Sequence, residues 1–311
     1  MSCSDYLIAV DGGGTKTEFC FYEIPTGEKS YFKSGSTNYK TAGDRITENN
    51  LVKAMLYFMD NNNIKKTQIK GIVVGIAGCD NDSDKNYYQE LLRKTGIDDR
   101  YIYICNDAHL AFGSSGGSHG IVVIAGTGTI CLGIKQNGEV LRCGGWGYPI
   151  SDLGSGLWLA SEALKELTIF CDGYGTYYSI FEKFKEKIGA KSFDEIPQII
   201  TSYKISDIAS FAKIITDYAD KGDEYCVSLC KKSIGHVIDI TKNIYQKLTQ
   251  LDKENMDFVI AGGLFSHKFF KDEYLNCLRE EIGICDDIVK QTIQKPVDGG
   301  INIAKRMFAL K

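Results

Sequence analysis

The sequence predicts an α/β protein built from two lobes of like topology, with a helical insertion in the second. Three observations carry this reading. Tyr6-Leu7-Ile8-Ala9-Val10 is an apolar run that ends in Asp11 and three glycines, after which Thr17, Phe19 and Phe21 alternate with Glu18, Cys20 and Tyr22. That is strand, tight turn, strand. The pattern recurs about 115 residues on, where Ile121-Val122-Val123-Ile124-Ala125 runs into Gly126-Thr127-Gly128-Thr129 and then Ile130, Leu132 and Ile134. Helix and strand patterns alternate after each copy, which puts helices against each sheet.

The elements follow in order. Residues 28–32 form a third strand and 35–39 a polar loop. Leu51, Ala54, Met55 and Phe58 recur at helical spacing over 46–59. A buried strand at 71–76, a helix at 84–94 and a strand at 101–105 lead to Asn106-Asp107, where a short helix begins. The glycine-serine run 113–120 reads as a linker, so the lobes are 1–116 and 117–311. In the second lobe Asn137-Gly138 is a hairpin turn, and 139–142 pairs back. The helical insertion spans roughly 156–251 and is clearest at 209–218 and 226–248. The strand 258–261 then precedes Gly262-Gly263, and Ser266 is read as the N-cap of a helix running to about 281. A last helix over 299–309 has the option of packing back on the first lobe.

Composition narrows the function. At 311 residues the chain is long for one domain, and an apolar fraction of 43% can fill two cores. A net charge of −4 with no basic tract argues against nucleic acid and anionic membranes as partners. No apolar stretch is long enough to span a bilayer. Met1 to Asp5 lacks the cationic region of a signal peptide, so a cytoplasmic protein is expected. The 11 cysteines, odd in number and irregular in spacing, fit reduced thiols. Cys226 and Cys230 lie on one helical face and read as core, and the four histidines form no ligand pattern.

The first glycine turn is suited to phosphate. Gly12, Gly13 and Gly14 remove every Cβ, so bare N–H groups can face an anion. Thr15 and Thr17 add hydroxyls, Lys16 adds a cation, and Asp11 at the strand tip suits a hydrated divalent metal. Two better-known loops are excluded. A Walker loop leads from Gly-Lys-Ser/Thr into a helix, whereas Lys16 follows Thr15 and leads into a strand. A dinucleotide fingerprint needs a glycine where Thr17 stands. An ordinary hairpin turn is the alternative for either copy alone; the recurrence favours phosphate.

Four motifs in order, Asp11 to Thr17, Asn106-Asp107-Ala108, Gly126-Thr127-Gly128-Thr129 and Ala261-Gly262-Gly263-Leu264-Phe265, resemble those of the actin, Hsp70 and sugar kinase superfamily. Gly144-Gly145-Trp146-Gly147 and Asp152-Leu153-Gly154-Ser155-Gly156 narrow the resemblance to N-acetylglucosamine kinases and their BadF-type ATPase relatives. The resemblance implies two actin-like, ribonuclease H-like lobes around an ATP cleft. It implies phosphate loops at Gly12, Gly13, Gly14, Thr15, Lys16 and Thr17 and at Gly126, Thr127, Gly128 and Thr129, and an adenosine loop at Gly262 and Gly263. Asp107 is then the base that takes the proton of a sugar 6-hydroxyl; its alternative is a helix N-cap. Asn38, Asp107, Gly145, Trp146 and Asp152 become the sugar contacts, and Asp11 the magnesium contact through water. Asn38 has the alternative of a turn asparagine and Trp146 that of a core residue. Asn38, Trp146 and Asp152 are expected to lie apart from the phosphate turns.

The function these residues imply is ATP- and Mg²⁺-dependent phosphorylation of an amino sugar, N-acetylglucosamine first, with N-acetylmuramate and glucosamine as rivals, by a homodimer. The relatives' Asp-Glu-Gly-Ser has Leu153 in place of the glutamate, which loosens the sugar assignment. A rival of another class is an ATPase that activates a dehydratase or reductase through an iron–sulfur cluster. Such relatives carry a cysteine just before the second phosphate loop, where this chain has Val122 to Ala125. A sugar-sensing repressor domain is disfavoured by the acidic charge and by the lack of a helix-turn-helix ahead of Asp5.

Overall fold

The structure is a computed structural model that describes residues 4–79, 81–117, 119–137, 139–249, 256–291 and 295–308. The chain divides into two compact units, Met1–Ser118 with Thr292–Lys311, and His119–Gln291.

The first unit is a five-stranded mixed sheet: β1 (Tyr6–Gly12), β2 (Lys16–Glu23), β3 (Lys29–Gly35), β4 (Ile69–Ile76) and β5 (Ile102–Asn106), in the order β3-β2-β1-β4-β5. β1 to β3 form an antiparallel meander, and β4 and β5 run parallel to β1. Side chains alternate across a strand, so β1 fills two cores at once. Ile8 and Val10 face a layer with Leu51, Met55, Tyr88 and Leu92. Leu7 and Ala9 face the other, with Leu110, Val297 and Ile301. The last helix, Pro296–Met307, therefore belongs to the first unit and covers that second face.

The second unit repeats the plan with β6 (Gly120–Ala125), β7 (Thr129–Ile134), β8 (Val140–Gly144), β9 (Asp257–Ala261) and β10 (Val289–Gln291), in the order β10-β9-β6-β7-β8. The short strand β10 is an element that the residue pattern did not disclose. Helices between Gly156 and Thr249 make up the insertion and share one large core with Ile121, Val123 and Ala125. One sheet topology is thus used twice, as the resemblance to the actin-like superfamily leads one to expect.

Local readings differ in places. Residues 46–59 are helical, but Asn49–Lys53 takes a π turn between Asp44–Glu48 and Ala54–Asn61. The run 113–120 is no open linker over its described part. Asn302 Nδ2 donates to the Gly113 carbonyl at 3.1 Å and Arg306 Nη1 to that of Gly116 at 3.1 Å. Ser266 is not an N-cap: it closes a 3₁₀ turn by donating to the Gly263 carbonyl at 2.6 Å. The helix Lys268–Glu281 is capped instead from another element, Phe269 N donating to Asp220 Oδ1 at 2.7 Å. Gly138 of the hairpin turn, Leu251 at the end of the insertion and Ala309 at the end of the last helix lie outside the described residues.

Candidate active site

In the first unit the parallel register brings three strand ends to one edge. Asp11 stands beside Gly75, Gly75 beside Cys105, and Ile76 beside Asn106. Asp11 and Asp107 thus lie at the carboxyl edge of the sheet, the usual ligand edge of such folds. Burial, then Asp107 and Glu18, push the Asp11 carboxyl up to about 7. A carboxylate so desolvated among like charges fits a site that receives a cation.

Asn106 stands beside Asp107 where the next helix begins. It is the N-cap of the helix Asp107–Gly113, and its side chain accepts from Ala108 N at 2.9 Å. Asp107 is the first helical residue, half-buried, with Oδ1 3.0 Å from the same N–H. The capping role therefore does not depend on Asp107.

The first glycine turn divides into a packed base and an exposed tip. Gly13 N donates to the Lys16 carbonyl at 2.9 Å, closing the turn. A Cβ on Gly12 would collide with Thr37 and Ile76, so this glycine is needed for packing. Thr17 is fully buried, and its hydroxyl is 2.8 Å from that of Thr37. Gly14, Thr15 and Lys16 form the exposed tip. Asn38 caps the short helix Tyr39–Ala42, accepting from Lys40 N at 3.0 Å, and donates to the Ala77 carbonyl at 3.0 Å. The turn reading of Asn38 thus holds as geometry.

In the second unit Gly126 and Gly262 follow directly on the paired strands β6 and β9. Gly262 has φ of 104°, and a Cβ there would strike the Ala125 carbonyl. Gly126, Thr127, Gly156 and Gly263 line a cavity of about 700 Å³ whose far wall comes from the insertion, with Lys213, Asp217 and Asp220. His267 joins that wall, its Nδ1 3.5 Å from both Asp217 Oδ1 and Asp220 Oδ2. Sequence reading missed these four residues. Lys213 and Asp217 are an i,i+4 pair at 2.8 Å, a signal that alone reads as a solvated helix face.

The loop after β8 presents Trp146, which is 68% exposed, so the core alternative falls. Gly144, Gly145 and Gly147 take positive φ on either side of it. The Arg142 guanidinium lies 3.9 Å from the ring centroid and bonds the Gly144 and Gly145 carbonyls. Arg142 was also missed; a basic residue four positions before the tryptophan was its only sequence trace. Asp152 adopts φ of 61°, and its Oδ1 is buried without a hydrogen-bond partner. Burial raises its carboxyl above the ordinary range, against hydrogen bonds from nearby backbone N–H groups. The expectation that Asp152 stands apart from the phosphate turns is wrong: its carboxylate packs against Gly128. Thr129 Oγ1, also buried, has no partner either. Leu153 is 49% exposed rather than packed into the following helix.

Two sheets of one topology, glycine turns at the carboxyl ends of their strands, and a cavity beside the second turn define an actin-like ATPase. The chain belongs to the BadF/BadG/BcrA/BcrD ATPase family, which it matches over residues 8–301. Among curated proteins it is 25% identical over 273 residues to the N-acetylmuramic acid/N-acetylglucosamine kinase of Clostridium acetobutylicum, covering 86% of this chain and 89% of the relative. It is also 25% identical over 285 residues to the N-acetyl-D-glucosamine kinase of Dictyostelium discoideum, covering 88% and 89%. A solved structure from Chromobacterium violaceum, provisionally named an N-acetylglucosamine kinase, shares the fold with a TM-score of 0.73 at 18% identity, covering 98% of this chain and 99% of that one.

Proposed function

We propose that this chain transfers the γ-phosphoryl group of ATP to the 6-hydroxyl of N-acetylglucosamine, with N-acetylmuramate as a second acceptor. The observation that carries the reading is the pair Asp11 and Asp107 at one sheet edge, with the helix cap assigned to Asn106. Two relatives named for N-acetylglucosamine, one of them also for N-acetylmuramic acid, support the substrate class.

Asp107 takes the proton as the O6–H bond breaks and O6 bonds to phosphorus; the bridging P–O bond breaks and ADP leaves with its electrons. Aligning that acceptor is most of the catalysis, because phosphoryl transfer asks little covalent chemistry of the protein. Magnesium, held through water at Asp11, would neutralise charge on the phosphate oxygens when bound. Lys16 and the N–H groups of Gly14 and Thr15 meet phosphate in the first unit, and Gly126, Thr127 and Gly128 do so in the second. Gly262, Gly263 and the 700 Å³ cavity receive adenosine. Trp146 offers its face to the sugar, and Asn38 and Asp152 meet its polar groups. The ten cysteines among the described residues are all free thiols, which suits a reducing compartment such as the cytoplasm.

The test is an ADP-release assay with glucose, glucosamine, N-acetylglucosamine, N-acetylmannosamine and N-acetylmuramate. Turnover fastest with N-acetylglucosamine is expected; ADP release indifferent to every sugar would overturn the reading in favour of an ATPase activator.

A further inference from the structure

The loop that carries Asn38 is fastened by a buried carboxylate that no motif points to. Asp84 lies at the start of the helix Asp82–Arg93 and is only 2% exposed. Its Oδ1 accepts from the Tyr39 hydroxyl at 2.8 Å and its Oδ2 from Lys40 Nζ at 2.9 Å. Lys40 Nζ also donates to the Gly78 carbonyl at 2.7 Å. Two residues from Lys40 in the chain, Asn38 Nδ2 reaches the Ala77 carbonyl at 3.0 Å. Ala77 N in turn donates to the Gly12 carbonyl at 2.8 Å, one residue from Asp11.

The chain of bonds therefore runs from Asp84 through Lys40 and the Ala77-Gly78 turn to the end of β1. The rest of the loop is tied by other groups. Thr37 N and Ser36 Oγ both donate to the Gly13 carbonyl at 3.3 Å, and Tyr88 Oη donates to the Thr37 carbonyl at 2.8 Å. The loop is thus held at several points. Thr37 and Ser36 tie it to the glycine turn, Asn50 Nδ2 donates to the Ser36 carbonyl at 2.8 Å, and Tyr88 and Asp84, both from the helix Asp82–Arg93, hold the stretch that carries Asn38.

We propose that Asp84 is a positioning residue for the acceptor sugar, acting through Lys40 and Tyr39 to fix Asn38. The proposal rests on the kinase reading above and deepens it. A charge this buried is tolerated because Lys40 and Tyr39 satisfy it, and such a pair specifies one arrangement of the segment it joins. Asp84 bonds Tyr39 and Lys40 directly and reaches the glycine turn only at its packed base, through Ala77 and Gly12, so its effect falls first on Asn38 and the sugar rather than on the exposed phosphate tip.

The experiment measures KM for N-acetylglucosamine and for ATP, with melting temperature, in wild type, Asp84→Asn, Lys40→Met and the double variant. Lys40→Met changes a half-exposed side chain, so it reports even where Asp84→Asn folds poorly. The expected result is a rise in sugar KM of about tenfold or more in each single variant, ATP KM within about threefold of wild type, and a double variant no worse than Asp84→Asn. A Lys40→Arg variant, which keeps the pair, is expected to recover most of the sugar affinity. Equal rises in both KM values, or a lower melting temperature with sugar KM unchanged, would overturn the positioning role while the wild type still phosphorylates the sugar. A wild type inert toward every hexose would overturn the kinase reading itself, and this role with it.

Discussion

A Cβ placed on Gly128 would stand 2.8 Å from Oδ2 of Asp152. The second glycine turn and the carboxylate assigned to the sugar are therefore direct neighbours, and no side chain fits between them. Asp152 sits in the left-handed region at φ of 61°, a strained conformation for a residue other than glycine. Such strain persists where surrounding contacts impose it.

Gly128→Ala is expected to displace that carboxylate and to raise KM for ATP and for sugar together, each by about tenfold. Gly263 is the matched control, because it lines the cavity and a Cβ there meets nothing within 4 Å. Gly263→Val is expected to keep its melting temperature and sugar KM while ATP affinity falls. Kinetics in which Gly128→Ala touches only one substrate would separate the two subsites again.

Asp107→Asn is expected to lower kcat by about two to four orders of magnitude, the usual worth of a positioned base. The helix should stay intact, since Asn106 supplies the cap. ATP binding by calorimetry is expected to match wild type. Near wild-type kcat would move the base elsewhere.

Asp11 gives a pH signature. Its carboxyl ordinarily loses its proton near 3.8 but holds it to about 7 in the folded protein. Between those values the folded state binds the extra proton, so stability falls as pH rises through the window, and the full cost remains above it. That cost is on the order of a few kcal/mol. In cation-free buffer Asp11→Asn is expected to melt above wild type at pH 8, with the gap closing toward pH 4, while losing kinase activity. A gap of the same size at both pH values would mean that the ionised carboxylate is not its source.

Trp146 is expected to bind without supporting the fold. At 68% exposure, its replacement by alanine should leave the melting temperature within about a degree, because little packing is lost. Sugar KM should rise by about tenfold with ATP KM unchanged, the worth of one aromatic contact. Arg142→Met, which removes the cation stacked on the indole, is expected to weaken sugar binding in the same direction.

Leu153 bears on the choice of sugar. Being 49% exposed, it can meet a ligand, and it stands where the resemblance to N-acetylglucosamine kinases implies a glutamate. An acidic residue would repel the lactyl carboxylate of N-acetylmuramate, so its absence admits that substrate. Leu153→Glu is expected to depress kcat/KM for N-acetylmuramate more than for N-acetylglucosamine. Equal losses for both sugars would retire the idea.

The sequence by itself determined the repeated sheet plan. Apolar runs such as 121–125 and the glycine turns after them are local signals, and strand alternation follows from the two-residue period of the backbone. It also singled out the strand-end residues Asp11, Asp107, Gly126 and Gly262, because a turn at a strand end is written in adjacent residues. Only the tertiary structure decided which neighbour caps the helix, since Asn106 and Asp107 are both good caps and geometry chose the first. It decided that Thr17 is buried against Thr37, that Arg142 stacks on Trp146 and that Asp152 abuts Gly128. It alone joined Asp84 to Lys40, and brought Lys213, Asp217 and His267 to the wall of one cavity. Pairs such as Asp84 with Lys40, Thr17 with Thr37 and Asp152 with Gly128 lie 20 or more residues apart with no shared period, so only the folded backbone brings them together.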